Sequence, residues 1–181
     1  MSRTKIVAGL ILSLVLPASA SAQTAPAAPD LNDAEVAHTA VTANAVDVDM
    51  AQHVQSRLHH ADVRQFAATM ITDHNAVNAK AAALATRLGV TPQDNAVSRS
   101  LVDGATAAKR TIDALRGDAF DRAYLDREIG YHQAVLDALD GLLIPTTENA
   151  DLKALLTSVR PAIAAHLAHA RELRATFGPG R

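Results

Sequence analysis

Residues Val63 to Leu88 read VRQFAATMITDHNAVNAKAAALATRL, and this stretch decides the fold. Stepping through it by fours and threes collects Val63, Ala67, Met70, His74, Val77, Ala81, Leu84 and Leu88 on one face of a helix, with Phe66 beside them. Nothing in it alternates with the period of two that a strand requires. Every position of the stripe is apolar except His74, which stands where a leucine would be expected.

The pattern recurs on either side. Upstream, Val36, Ala40, Ala43, Asp47, Met50, Val54 and Leu58 form a stripe interrupted by Asp47. Downstream, Leu125, Glu128, His132, Val135, Leu139 and Leu142 form another, and Leu152, Leu155, Val159, Ile163, His166, Ala170, Leu173 and Phe177 a last one. Each interruption is ionisable.

Capping and breaking residues divide the stripes into elements. Asn32 or Asp33 is expected to cap the first helix, and Asp62 the second, which Gly89 stops. A less patterned helix from about Ala96 to Arg116, weakened in its middle by Gly104, reads as a connector. Gly117 ends it and Asp118 caps the next helix, which should stop near Leu143 because Pro145, Thr146 and Thr147 break the chain. Asn149 or Asp151 starts the last helix, and Pro161 should kink or restart it. The expected fold is all-α: a ferritin-like four-helix bundle of two antiparallel hairpins with an extra connector helix.

Heights along such a bundle follow from the turns, because residues equidistant from a tight antiparallel turn share a level. With the first turn centred between His60 and Ala61, Asp47 and His74 each lie about 13.5 residues away and should face one another. In the second hairpin His132 lies 11 residues before Leu143 and His166 lies 15 after Asp151, so Glu128 is the better level match for His166. Glu128 and His132 are one turn apart on one face and can serve a common site.

The ends and the composition bound the function classes. Arg3 and Lys5, the apolar run Ile6 to Leu16, Pro17 and the small residues Ala18 to Ala22 read as a secretory signal peptide over residues 1–22. That run is too short to span a bilayer, which takes about 20 apolar residues, and no second one follows. Residues 23–31 form a linker rich in Ala and Pro, expected to be disordered, and residues 32–178 the bundle domain. The expectation is a periplasmic or secreted protein with no transmembrane segment in its mature chain. The sequence contains no cysteine, so lipidation at a processed cysteine and disulfide stapling are both excluded. Without Arg3 and Lys5 the mature chain keeps 15 basic residues against 19 acidic ones. It has no basic stripe and, at 3% aromatics, no stacking platform, so nucleic acid is not an expected partner. Alanine-rich faces permit a homo-oligomer without arguing for one.

The candidate site is Asp47, His74, Glu128, His132 and His166. A buried polar group usually finds a local hydrogen bond, so one histidine on an apolar face says little. Five ionisable groups converging from four helices invite a metal ion as partner, because unpaired buried charges are costly. The carboxylate-rich di-iron centres of ferritin-like enzymes use Glu-x-x-His motifs, and this chain has none: Glu128 and His132 are four apart, and Ile71 stands three before His74. Three imidazoles and two carboxylates suit one zinc, copper or iron ion instead. Met50 and Met70, about one turn nearer the first turn, could add thioethers for cuprous copper, although methionine in a core is commonly a gap filler. Asp73 either orients a ligand or faces water, and His38, His53, His59, His60 and His169 read as solvated surface. No nucleophile–base pairing and no glycine-rich strand-to-helix turn supports hydrolysis or nucleotide binding.

Three segments carry a family resemblance: Phe66-Ala67-Ala68-Thr69-Met70-Ile71-Thr72-Asp73-His74, then Phe120-Asp121-Arg122-Ala123-Tyr124 followed by His132-Gln133, then Pro161 followed by His166-Leu167. In this order they resemble the bacterial family called domain of unknown function 4142, over about Asp33 to Phe177. The resemblance implies an exported ferritin-like bundle and brings no established activity. Where that family usually has Glu in the first helix this chain has Asp47, a shorter arm. The reading that follows is an exported bundle that binds a transition-metal ion in its core for metal handling or stress protection. Its alternative is a structural or interaction bundle whose interior polar network holds the helices in register without metal.

Overall fold

The structure, a computed structural model, describes residues 29–178, so the expected signal peptide and most of the linker lie outside the described residues. All the described elements are helical: α1 (Asp33–Gln55), α2 (Ala61–Leu88), α3 (Ala96–Asp113), α4 (Asp118–Ala138), a π-helical segment (Leu139–Leu143), α5 (Ile144–Thr146) and α6 (Ala150–Thr176). No strand occurs among them, and none of these helices is long and apolar enough to cross a membrane.

Local chemistry sets most boundaries. The Asn32 side chain accepts the N–H groups of Ala34 and Glu35 while Glu35 accepts that of Asn32, a reciprocal cap that starts α1. Asn95 and Ser98 do the same for α3. Gly89, at φ 63°, ends α2 in the left-handed conformation that a side chain disfavours.

Four boundary expectations need correction, the first at Asp118, which is the opening residue of α4 behind Gly117 in the capping position. Asp62 is not the cap of α2; it lies inside the first turn, and His60 holds the capping position with no side-chain bond. The preceding turn is fixed instead by Asp121 of α4, whose buried carboxylate accepts the N–H groups of His59 at 3.1 Å and His60 at 2.9 Å. Nor does Pro145 break the chain. The helix continues through the π-helical turn and α5 as far as Thr146, because the wider turn accommodates a ring that would otherwise press on the carbonyl of Gly141. Thr146 and Thr147 then close the end by donating their hydroxyls to the carbonyls of Leu142 and Leu143. Pro161, finally, does not restart α6, which runs unbroken from Ala150 to Thr176.

Helix α1 packs along α2, α4 along α6, and α2 reaches α6, while α3 lies against α1 and touches α4. Ion pairs tie α3 to α1, Lys109 with Asp49, and both His53 and Arg57 with Asp113. The interior divides into two apolar clusters. One, nearest the α1–α2 turn, holds Met50, Val54, Phe66, Met70, Phe120 and Tyr124; the other holds Val36, Leu84, Leu139, Leu152, Leu156 and Ile163. Along α1, α2 and α4 the change from one cluster to the other falls at the ionisable residues Asp47, His74, Glu128 and His132, and on α6 His166 sits beside it.

Candidate functional site

Each of the five residues sits in the middle of a long helix, where its stripe position turns it inward, and each is less than a tenth exposed. They form two groups that share His132. One nitrogen from each of His74, His132 and His166 lies within 4.8 Å of the other two, and the ligating atoms of Asp47, Glu128 and His132 meet the same limit. The three imidazole rings make a nearly equilateral triangle, with centroids 5.6, 5.3 and 5.5 Å apart. Asp47 and His74 do face one another, with Oδ2 3.2 Å from Nε2.

His166 is placed differently from the level estimate, against His74 and His132 and not against Glu128. Part of the reason is the longer α4 arm. With the helix running on to Thr146, His132 stands 14 residues before its end and Glu128 18, against 16 after Ala150 for His166, so the count no longer favours Glu128 and the packing of the rings decides for His132.

Hydrogen bonds settle which ring nitrogen carries the proton. His74 donates from Nδ1 to Asn44 Oδ1 at 2.6 Å; the amide orientation follows because Asn44 Nδ2 donates to the carbonyl of Ala40 at 2.8 Å. His132 donates from Nδ1 to the carbonyl of Glu128 at 3.0 Å, and His166 from Nε2 to Asp73 Oδ2 at 3.0 Å. The opposite nitrogens, Nε2 of His74, Nε2 of His132 and Nδ1 of His166, are buried and have no hydrogen-bond partner. His74 Nε2 is near Asp47 Oδ2, yet both atoms remain unbonded, so that contact is one of proximity and the tautomer set by Asn44 stands. Three imidazoles, each pinned at one nitrogen with the other left without a partner, form the arrangement in which histidines hold a metal ion. The donor set therefore fits a transition-metal ion.

Arg127 is the main participant the stripes did not contain. Its guanidinium pairs with Asp47 and, at 2.7 Å, with Glu128 Oε1, while lying 4.0 Å over the Tyr131 ring. Tyr131 in turn donates to the carbonyl of Ala43 at 2.7 Å. Burial works to raise the pKa of Asp47, but Arg127, His74 and His132 outweigh it and hold the carboxyl below its ordinary range. Glu128 is driven well upward, first by burial and then by the charge on Asp47. Burial lowers His74, and takes His132 down to about 4, so both rings are neutral near pH 7. The shifts thus favour charge on Asp47 and Arg127 and disfavour it on Glu128, His74 and His132. Buried carboxylates beside an unbonded Tyr124 hydroxyl, itself raised by burial and by Glu128, complete the polar layer.

Asp73, expected either to orient a ligand or to face water, bonds His166 with its side chain half exposed, and Asn44, buried three before Asp47 on the same face, is a polar neighbour that could have been anticipated. Arg127 carries no such signal, because long cations usually face solvent. Met50 and Met70 are fully buried among Val54, Phe66 and Tyr124 in the apolar cluster. The remaining histidines find partners outside this layer: His38 approaches Asp94, His53 pairs with Asp113, His59 approaches Asp121, His60 pairs with Asp118, and His169 meets the edge of Phe66.

Helices throughout the described residues, around a buried layer of imidazoles, carboxylates and one arginine, define the class. The chain belongs to the family described as domain of unknown function (DUF4142), whose model matches residues 17–173. Among solved structures it is similar to the crystal structure of a DUF305 fragment from Deinococcus radiodurans, with 16% identity and a TM-score of 0.67 over 82% of this chain and 99% of that one. At that identity the likeness is one of fold. No curated protein matches the chain.

Proposed function

We propose that this is an exported protein, a ferritin-like four-helix bundle of two antiparallel hairpins, that holds one transition-metal ion on His74, His132 and His166. Asp47 and Glu128 stand beside the ion as further oxygen donors or as its charge balance. The observation that carries the reading is the set of three buried imidazoles, each tied at one nitrogen to Asn44, the Glu128 carbonyl or Asp73 and each leaving the other nitrogen unbonded. Such outer partners orient metal-binding histidines and raise their basicity. Neutral imidazoles suit zinc, copper or iron, and a three-histidine set leaves a coordination position open. Metal storage, buffering or stress protection is the role this supports. The leader-like residues 1–22 support export to the periplasm or beyond.

One observation favours a second reading, an interior polar network without metal: Arg127 already neutralises Asp47 and bonds Glu128. Elemental analysis of protein exported and purified without chelator, with thermal melts in added zinc, copper and iron, separates the two. A near-stoichiometric ion that alone raises the melting temperature is the expected result. His74→Leu should then lose that ion. Unchanged metal content in His74→Leu, with equal or higher stability, would establish the network reading instead.

A further inference from the structure

The two halves of the interior are filled differently. Toward the α1–α2 turn the core is closed by Met50, Phe66, Met70, Phe120 and Tyr124, all essentially unexposed. In the other half the inward faces of α1 and α2 carry alanines, and Ala37, Ala40, Ala81 and Ala85, with Leu156 and Ile163 of α6, line a cavity of about 210 Å³. Its outer end is at Pro92 and Asn149, and its inner end is at Asn44, His74, Asn78 and His132. The walls are largely aliphatic, but three side chains at the inner end each carry a buried atom with no hydrogen-bond partner: His74 Nε2, which lies beside Asp47, His132 Nε2 and Asn78 Oδ1. With the tautomers set as above, all three accept hydrogen bonds and none donates.

Only the inner end of this cavity offers water the two to four polar partners it needs; the aliphatic length between does not, and an aliphatic and aromatic cavity of about 150 Å³ takes up benzene. We propose that this cavity binds a linear aliphatic molecule of about six to ten carbons bearing a single oxygen head group, its tail along the alanines and its head at His74 and His132. In the metal-free protein the acceptors at the floor select a head that donates, such as an alcohol, and the charge on Asp47 disfavours a carboxylate. The head-group preference with metal bound rests on the metal reading, because an ion on the three histidines would take either oxygen at its open position; the tail site does not depend on it.

The test is calorimetric titration of 1-octanol and of octanoate into the protein, metal-free and after addition of zinc. Octanol should bind the metal-free protein saturably, one to one, with a Kd below about 1 mM. Filling the cavity by Ala81→Leu, which is outside the histidines' hydrogen bonds, or by Ala40→Leu, which keeps the backbone carbonyl that orients Asn44, should weaken that binding by about tenfold or more. Octanoate should bind only once zinc is present. In wild-type protein, nuclear Overhauser contacts from the octanol chain to the methyls of Ala40 and Ala81 report the same site even if neither leucine variant folds. Absence of saturable octanol binding to both forms, or binding that leaves those methyls untouched, would overturn the proposal. Octanol binding at the alanines with no effect of zinc on octanoate would keep the aliphatic site and overturn the metal-dependent head group alone.

Discussion

Arg127→Met isolates the electrostatics of the buried layer. The guanidinium bridges two carboxylates that have no exposure, and methionine keeps much of its length without its charge. Burial and Asp47 push Glu128 upward while Arg127 and the neighbouring rings hold Asp47 down, so Asp47 is the carboxylate whose charge Arg127 chiefly stabilises. The substitution therefore strands one buried charge, a loss of about 3–5 kcal/mol, and removes a stack on Tyr131 worth about 0.5–1 kcal/mol. For a domain of this size each kcal/mol moves Tm by about 2–4 °C, so a fall of roughly 10 °C or more is expected. Urea unfolding at pH 7.5 with chelator, followed by circular dichroism, measures the loss. With Arg127 gone, burial raises the pKa of Asp47, and such a group stabilises the fold only while protonated. The deficit should accordingly shrink as pH falls toward 4, the ordinary range of a carboxyl being about 3.9. Adding Asp47→Asn should recover about 2 kcal/mol, since it removes the stranded charge. A loss below about 1 kcal/mol, or no recovery in the double variant, would refute the account of Arg127 as the counter-charge of this layer.

Three further outcomes are expected. In chelator-treated protein the contribution of His132, read as the stability difference between wild type and His132→Asn, should be constant above about pH 6.5 and fall by about 3 kcal/mol as pH drops to 4, because His132, held down to about 4, must stay neutral while the unfolded chain takes up a proton; Glu128, raised in the folded state, works in the opposite direction and cancels from the difference, and a difference that does not change over this window would contradict the prediction. Asp73→Asn should weaken the metal affinity of His166's site by roughly 10–100-fold without changing stoichiometry, as competition with a chromophoric chelator would read; equal affinity would show that this half-exposed partner does not orient the ring. Asp121→Ala should cost about 1–3 kcal/mol and speed amide exchange at His59 and His60, whose N–H groups it leaves unpaired; unchanged exchange at both amides would contradict that role.

The sequence by itself determined the helical character of the chain, the inward faces and the ionisable residues on them. That information is local: a period of 3.6 identifies a helix face whatever it packs against, so Asp47, His74, Glu128, His132 and His166 stood out as breaks in apolar stripes. The facing of Asp47 and His74 was legible too, since the first turn is short enough to set the register. The match of His166 to His132 was not: the π-helical turn that carries α4 past Pro145, which no single-residue signal marks, only puts His132 and Glu128 at equal offsets from His166, and side-chain packing decides between them. Tertiary structure alone decided the rest. Arg127 lies beside its stripe and turns inward only because two carboxylates from different helices offer more than water does there. Asp121 holds a turn some sixty residues away, replacing the cap expected of Asp62. The free imidazole nitrogens and the alanine-lined cavity behind them are likewise properties of several helices at once: which nitrogen is tied, and what space is left, follow from neighbours that meet only when the chain is folded.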